Sequence, residues 1–136
     1  MNKLTKQQVE NRLKWIEALK SGKYKQVREI LKRKDQGYCC LGVACEISGL
    51  GKWDGDNHFL EKVSGCVSSS HMTFRVKDHY GFERMSGEIC TDPKDHETYW
   101  HSLTEYNDTK LYNFQQIAEL LENDLNIRRE NNGIEV

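Results

Sequence analysis

Cys39–Ser48 reads CCLGVACEIS, and the fold turns on whether this run is a strand or a helix. Its only charge is Glu46, so either way it belongs inside. Short apolar runs of this kind fit a buried strand as readily as a buried helix. Three features favour the helix. The run is ten residues long, Gly49 follows as a stop, and Gly42 and Ala44 are small enough to let a neighbour pack closely. A helix apolar nearly all round sits in mid-core.

Immediately upstream the composition inverts. Lys20, Lys23, Lys25, Arg28, Lys32, Arg33 and Lys34 crowd into the stretch before the buried run, with Tyr24 and Tyr38 at its two ends. Residues 24–34 read as extended, and KDQG at 34–37 as a turn. Further back, residues 6–21 read as an amphipathic helix. Thr5 is its N-cap, Val9, Leu13, Ile16 and Leu19 form its stripe, Trp15 lies at the margin, and Gly22 stops it.

Downstream, residues 50–98 carry short runs such as HFLEKV, CVSSS and MTFRV between Gly, Ser, Asp and His. They read as short strands and loops, with one helical turn near FRVKDHYGF and a break at Pro93. Asn113 with Gln116 three residues on is a capping box. Phe114, Ile117, Ala118, Leu121 and Leu125 then give a second amphipathic helix. The fold class is α+β. N- and C-terminal helices pack with the buried central helix and a small antiparallel sheet in a single domain over 1–126. Residues 127–136, ending RRENNGIEV, are expected to fray.

The 136 residues suit one domain, and no run approaches the roughly 18 apolar residues of a membrane span. The N-terminus has no apolar h-region, so a cytoplasmic protein with no membrane partner is expected. Cys39, Cys40, Cys45, Cys66 and Cys90 are odd in number, with one adjacent pair, and read as reduced thiols rather than a disulfide framework. The net charge of −1 hides a split. Residues 1–34 hold eleven Lys and Arg against three Glu, and the remainder nine against eighteen Asp and Glu. A basic region for an anionic partner, or pairing of opposite surfaces in a homo-oligomer, accounts for such a split.

Four groups carry candidate chemistry. The basic stretch mixes cations for phosphates with aromatics for bases, a combination suited to a nucleotide; its bland reading is a solvated face. YNDTK at Tyr106–Lys110 reads as an Asx-turn feeding a helix, with free backbone N–H groups for an anion. His58, Cys66, His71, Cys90, His96 and His101 lack metal-site spacing, so no metal or cofactor is expected. DPKDHE at Asp92–Glu97 gathers carboxylates and a histidine and supports the alternative of a metal-dependent nucleotide hydrolase using Asp92, Asp95 or His96. A third possibility is a protein that inhibits a host protein by direct binding.

Three segments, WIEALKSGKYKQ, GYCCLGVACEISG and SLTEYND followed by NFQQIAELLE, resemble small phage-encoded proteins. Their pattern is W-x-x-A-L-x-S-G-x-Y-x-Q, then Y-C-C-L-G-V, then N-D and F-x-x-I-A-x-x-I-E. Trp15, Ala18, Leu19, Ser21, Gly22, Tyr24 and Gln26 fit the first piece. Tyr38 to Val43 and Cys45 fit the second, and Asn107, Asp108, Phe114, Ile117, Ala118 and Glu122 the third. The chain departs from the pattern after Gln26, where VREILKRKDQG stands in place of a glycine-bearing loop. The set resembles the phage sponges that counter CBASS antiphage defence. That resemblance implies an oligomeric immune-evasion protein, not an enzyme, that sequesters a cyclic dinucleotide uncleaved, with no long nucleic acid as partner. On that reading Tyr24 and Tyr38 flank bases and Lys25 and Arg28 meet phosphates. Gln26, Asn107, Asp108 and Thr109 bond base edges or ribose.

Overall fold

Thr5 opens the first helix with a reciprocal cap. Its hydroxyl accepts from the Gln8 amide at 3.1 Å, and Gln8 Oε1 accepts from the Thr5 amide at 2.9 Å. Helix α1 then runs Lys6–Lys20 in a computed structural model that describes residues 2–91 and 100–136. The buried face is Arg12, Trp15, Ile16 and Leu19. This is the expected spacing turned by one position: Leu13 is 45% exposed, and Trp15 is central rather than marginal.

The decisive run is a helix. α2 spans Cys40–Ser48, with Gly49 in the left-handed conformation that ends it. Its N-cap is Cys39, whose Sγ accepts from Gly42 N at 3.3 Å. The next orphan amide, Cys40 N, donates to Asn107 Oδ1 at 3.2 Å. A helix start buried away from water needs such protein partners. Gly42 is required by proximity, since a Cβ there would overlap the Leu31 carbonyl oxygen.

Between α1 and α2 lie two short antiparallel strands, β1 (Lys32–Arg33) and β2 (Gly37–Tyr38), joined by the expected turn. After α2 come β3 (Gly51–Asp54), β4 (His58–Glu61) and β5 (Val67–Ser68), an antiparallel three-stranded meander. α3 (Phe74–Tyr80) takes the place of the helical turn expected there. β6 (Glu88–Cys90) pairs antiparallel with β7 (Trp100–Ser102). α4 (Leu103–Asp108) and α5 (Phe114–Glu130) complete the chain, α5 with the expected capping box. The fold is α+β. Its strand content is divided among three small sheets among the described residues rather than gathered in one.

α1 packs along α5 and against α2 and α3, and α2 also meets α4 and the meander. All five residues of the α5 stripe are buried. The core also contains charge. Arg12, Asp124 and Arg128 are each at most 1% exposed. Asp124 Oδ2 accepts from Arg12 Nη1 and Arg128 Nε, both at 2.9 Å, and Oδ1 accepts from Cys90 N at 3.0 Å. Arg12 spends its Nε on the Tyr80 carbonyl at 2.7 Å and lies 4.1 Å from the Phe82 ring centroid. Burial pushes the Arg12 guanidinium down to about 10, against the pull of Asp124, so it remains charged at neutral pH.

The expectation of a frayed tail is corrected. α5 continues to Glu130, and Ile127 and Arg128 are buried. Leu4 N donates to the Gly133 carbonyl at 2.9 Å and Glu135 N to the Leu4 carbonyl at 2.8 Å, a parallel bridge between Leu4 and Ile134. The order rests on the buried Ile127 and Arg128 together with this backbone pairing, whose partner at Leu4 is remote in sequence.

Candidate functional site

The segment Tyr24–Glu29 is irregular in outline and is fixed from behind by one amide. Asn107, 1% exposed, uses both ends of its side chain. Oδ1 accepts from Gln26 Nε2 at 2.8 Å and from Cys40 N at 3.2 Å. Nδ2 donates to the Val27 carbonyl at 3.1 Å and to Asp108 Oδ1 at 2.7 Å. Gln26 Nε2 also reaches the Tyr112 carbonyl at 2.8 Å, and Arg28 Nε the Asn107 carbonyl at 3.0 Å. Asp108 Oδ1 accepts from Glu29 N at 2.9 Å, where Glu29 has a φ of 72°. A non-glycine residue in that region costs roughly 1–2 kcal/mol, and the Asp108 carboxylate helps hold it there.

On the outer side, backbone bonds tie this segment to β2. Val27 N donates to the Tyr38 carbonyl and Tyr38 N to the Lys25 carbonyl, each at 2.8 Å. Gly37, at φ 145°, allows the close approach, because a Cβ there would overlap the Lys25 carbonyl oxygen. The pairing brings half-buried Tyr24 against Tyr38, with ring centroids 5.5 Å apart and nearly perpendicular. Trp53 of β3 continues the row, 5.9 Å from Tyr38, and buried Phe59 of β4 backs it at 5.2 Å. Lys32 Nζ stands 5.5 Å from the Tyr38 centroid and 5.2 Å from that of Trp53, and Lys23 Nζ 5.6 Å from Tyr24. Glu46 of α2 joins the tips. Its Oε2 accepts from Trp53 Nε1 at 2.7 Å and its Oε1 from the Tyr38 hydroxyl at 3.5 Å. Burial first, then Glu46, raises the Tyr38 hydroxyl above the usual tyrosine range.

Lys23, Lys25, Arg28, Lys32 and Arg33 form no ion pair among the described residues, whereas Lys20 pairs with Glu122 and Lys34 with Asp56. The face therefore combines three aromatic rings with uncompensated cations. Such a surface can stack a planar group and neutralise an anion attached to it.

The residues singled out from sequence divide accordingly. Tyr24 and Tyr38 meet in the face, whereas Arg28 turns its Nε to the Asn107 carbonyl and exposed Lys25 joins through its backbone carbonyl, which accepts from Tyr38 N. Gln26, Asn107 and Asp108 stand behind the face, and the bonds they make are to the chain itself. Thr109 is exposed as the C-cap of α4, its N–H donating to the Glu105 carbonyl at 2.9 Å. YNDTK is thus not a loop feeding a helix. Ser102 caps α4 at the other end, accepting from Glu105 N at 3.1 Å, and Tyr106–Asp108 form its last turn, where carbonyls rather than amides are left over. The backbone anion site expected there has no free donors to make it.

Trp53, Lys32 and Glu46 were missed as a group. The available signal was a tryptophan in a polar hairpin, GKWDGDNH, where a lone large aromatic has little reason to be except to lie on a surface.

The other candidate chemistry does not converge. Asp92–Glu97 and Pro93 lie outside the described residues. Among the described residues no group of three or more His, Cys, Asp or Glu is placed to hold a metal ion, and no helix is long and apolar enough to cross a membrane. Burial pushes the Cys39 thiol up to about 12 and raises those of Cys40 and Cys45 as well, which suppresses nucleophilic thiolate. Two grooves elsewhere share no residue with the aromatic face. One, of about 450 Å³, lies between α1 and the C-terminal segment and is lined by Lys6, Val9, Arg129 and Ile134 among others. The other, of about 140 Å³, lies between Asn11, Ile47 and His79.

No curated protein and no solved structure matches the chain. Residues 5–125, which take in every element from α1 through most of α5, match the model of one family, and the chain belongs to that family, described as Domain of unknown function (DUF8296).

Proposed function

We propose that the protein binds a cyclic dinucleotide on the Tyr24–Tyr38–Trp53 face and holds it without cleaving it, as a phage protein that withdraws a CBASS signal from the host cell. The observation that carries this reading is the row of three aromatic rings with Lys23 and Lys32 standing over them, neither in an ion pair among the described residues. Aromatic rings take bases at about 1–3 kcal/mol each, and the flanking lysines and Arg28 take the phosphates. The ladder of bonds through Asn107 keeps the segment ordered before the ligand arrives, which lowers the entropy lost on binding.

Competing with a host receptor needs nanomolar affinity, about −12 kcal/mol. An open face in water is screened and falls short of that. A second copy of the chain closing over the face completes the site, and the basic N-terminal quarter and acidic remainder supply opposite charges for that contact.

The test is thermal unfolding of the purified protein with mono-, linear and cyclic nucleotides, followed by chromatography of the ligand released on heating. A large stabilisation by one cyclic dinucleotide, recovered intact and lost on Lys25→Ala and Arg28→Ala, supports the reading, since ligand bound to the native state alone raises stability. Recovery of a cleaved product favours a hydrolase. No shift with any nucleotide overturns nucleotide binding and points to a protein partner.

A further inference from the structure

Among the described residues Glu46 is the acid that hydrogen-bonds the rings of the aromatic face, and its setting is unusual. It is exposed, in the last turn of α2, close to a strongly basic segment, yet it forms no ion pair among the described residues. Neutral donors hold it instead, the Trp53 indole N–H at 2.7 Å and the Tyr38 hydroxyl at a long 3.5 Å. A carboxylate offers about four acceptor positions and no donor. The indole takes one, and the hydroxyl proton is free to rotate away from a contact that long. Both oxygens therefore keep acceptor capacity at the rim of a stacking surface.

The four bases meet such a group differently. Guanine presents N1–H and the N2 amino group side by side, two donors for two oxygens. Adenine and cytosine each place one amino donor next to a ring-nitrogen acceptor, which a carboxylate repels. Uracil flanks its single N–H with two carbonyls. Resting on the nucleotide-binding reading above, we infer that Glu46 is the specificity-determining residue of the site and selects a guanine base stacked on Tyr38 and Trp53. The lysines around it set affinity for the phosphates and are indifferent to the base.

The test is calorimetric titration of the wild-type protein and of Glu46→Gln with cyclic di-GMP and cyclic di-AMP as probes. The glutamine carbonyl still accepts from the Trp53 indole, so the platform is kept, while its amide N–H₂ confronts guanine donor to donor. The expected result is a preference of about tenfold or more for cyclic di-GMP in the wild type, in line with one good two-point base contact. That preference collapses in Glu46→Gln through weaker cyclic di-GMP binding, while cyclic di-AMP, relieved of the carboxylate facing its ring nitrogen, binds as well as before or better. Equal wild-type affinity for the two probes, or a preference that survives Glu46→Gln, overturns the guanine assignment and leaves nucleotide binding standing. Failure of both probes and of every nucleotide in the thermal panel overturns the site itself, and the inference with it.

Discussion

Asn107→Asp changes one atom type at the centre of the network behind the face. The new carboxyl keeps the acceptor that receives Gln26 Nε2 and Cys40 N, and it loses the amino group that serves the Val27 carbonyl and Asp108 Oδ1. Ionised, it sets an oxygen against a carbonyl and a second carboxylate in a site that is 1% exposed at this residue. Two hydrogen bonds are lost at roughly 1 kcal/mol each, and repulsion from Asp108 adds a comparable amount, for about 3 kcal/mol at pH 7. Protonated, the group still donates to Asp108, and only the bond to Val27 is missing, about 1 kcal/mol.

The native state of the variant thus favours the protonated form, so the pKa of the new carboxyl is raised above its unfolded value of about 3.9. The native state then binds more protons than the unfolded one, and stability relative to wild type falls as pH rises above about 4, by at most 1.4 kcal/mol per pH unit. Urea unfolding followed by tryptophan fluorescence at pH 4.5 and pH 7.5 measures this. A difference from wild type below about 0.5 kcal/mol, or one equal at both pH values, refutes Asn107 as the pin of the Tyr24–Glu29 segment.

Two further outcomes rest on other parts of the fold. Asp124→Ala strands the Arg12 and Arg128 guanidiniums and the Cys90 amide, all buried, and is expected to cost about 4 kcal/mol in urea unfolding; a loss under about 1 kcal/mol contradicts the cluster. Thiol titration of the native protein near pH 8 is expected to detect Cys66 alone promptly, because Cys39, Cys40, Cys45 and Cys90 are buried, with all five cysteines reacting after denaturation. A second fast thiol in the native state contradicts that packing.

What the sequence made legible was local. Thr5 announced its helix as an N-cap and Asn113 as half of a capping box, because such caps close within four residues. The α5 stripe and the buried α2 declared themselves through periodicity and composition. Apart from the missed helix at Tyr106–Asp108 and the turned stripe of α1, the failures involve partners distant along the chain. Arg12 reads as surface until Asp124, 112 residues away, is brought to it. Asn107 and Gln26 look like ligand-facing amides until each is seen to satisfy the other across 81 residues. The aromatic face joins Tyr24, Tyr38 and Trp53 through a bridge and two sheets that no single window contains. Of the basic stretch, Lys23 and Lys32 lie over the rings, while Trp53 and Glu46 join them from outside that stretch.

The Arg12–Asp124–Arg128 cluster also governs when the protein is able to fold during its synthesis. α1 leaves the ribosome well before α5, and its Arg12 lacks the Asp124 counter-charge until α5 has emerged. A guanidinium without its acid is not buried at tolerable cost, so the nascent α1 stays wet and its Trp15 face unsealed. At roughly 5–20 residues per second, the 112 residues between Arg12 and Asp124 delay the pairing by about 6–20 seconds. A chain halted before Asp124 lacks the group that pairs with the first helix's buried guanidinium.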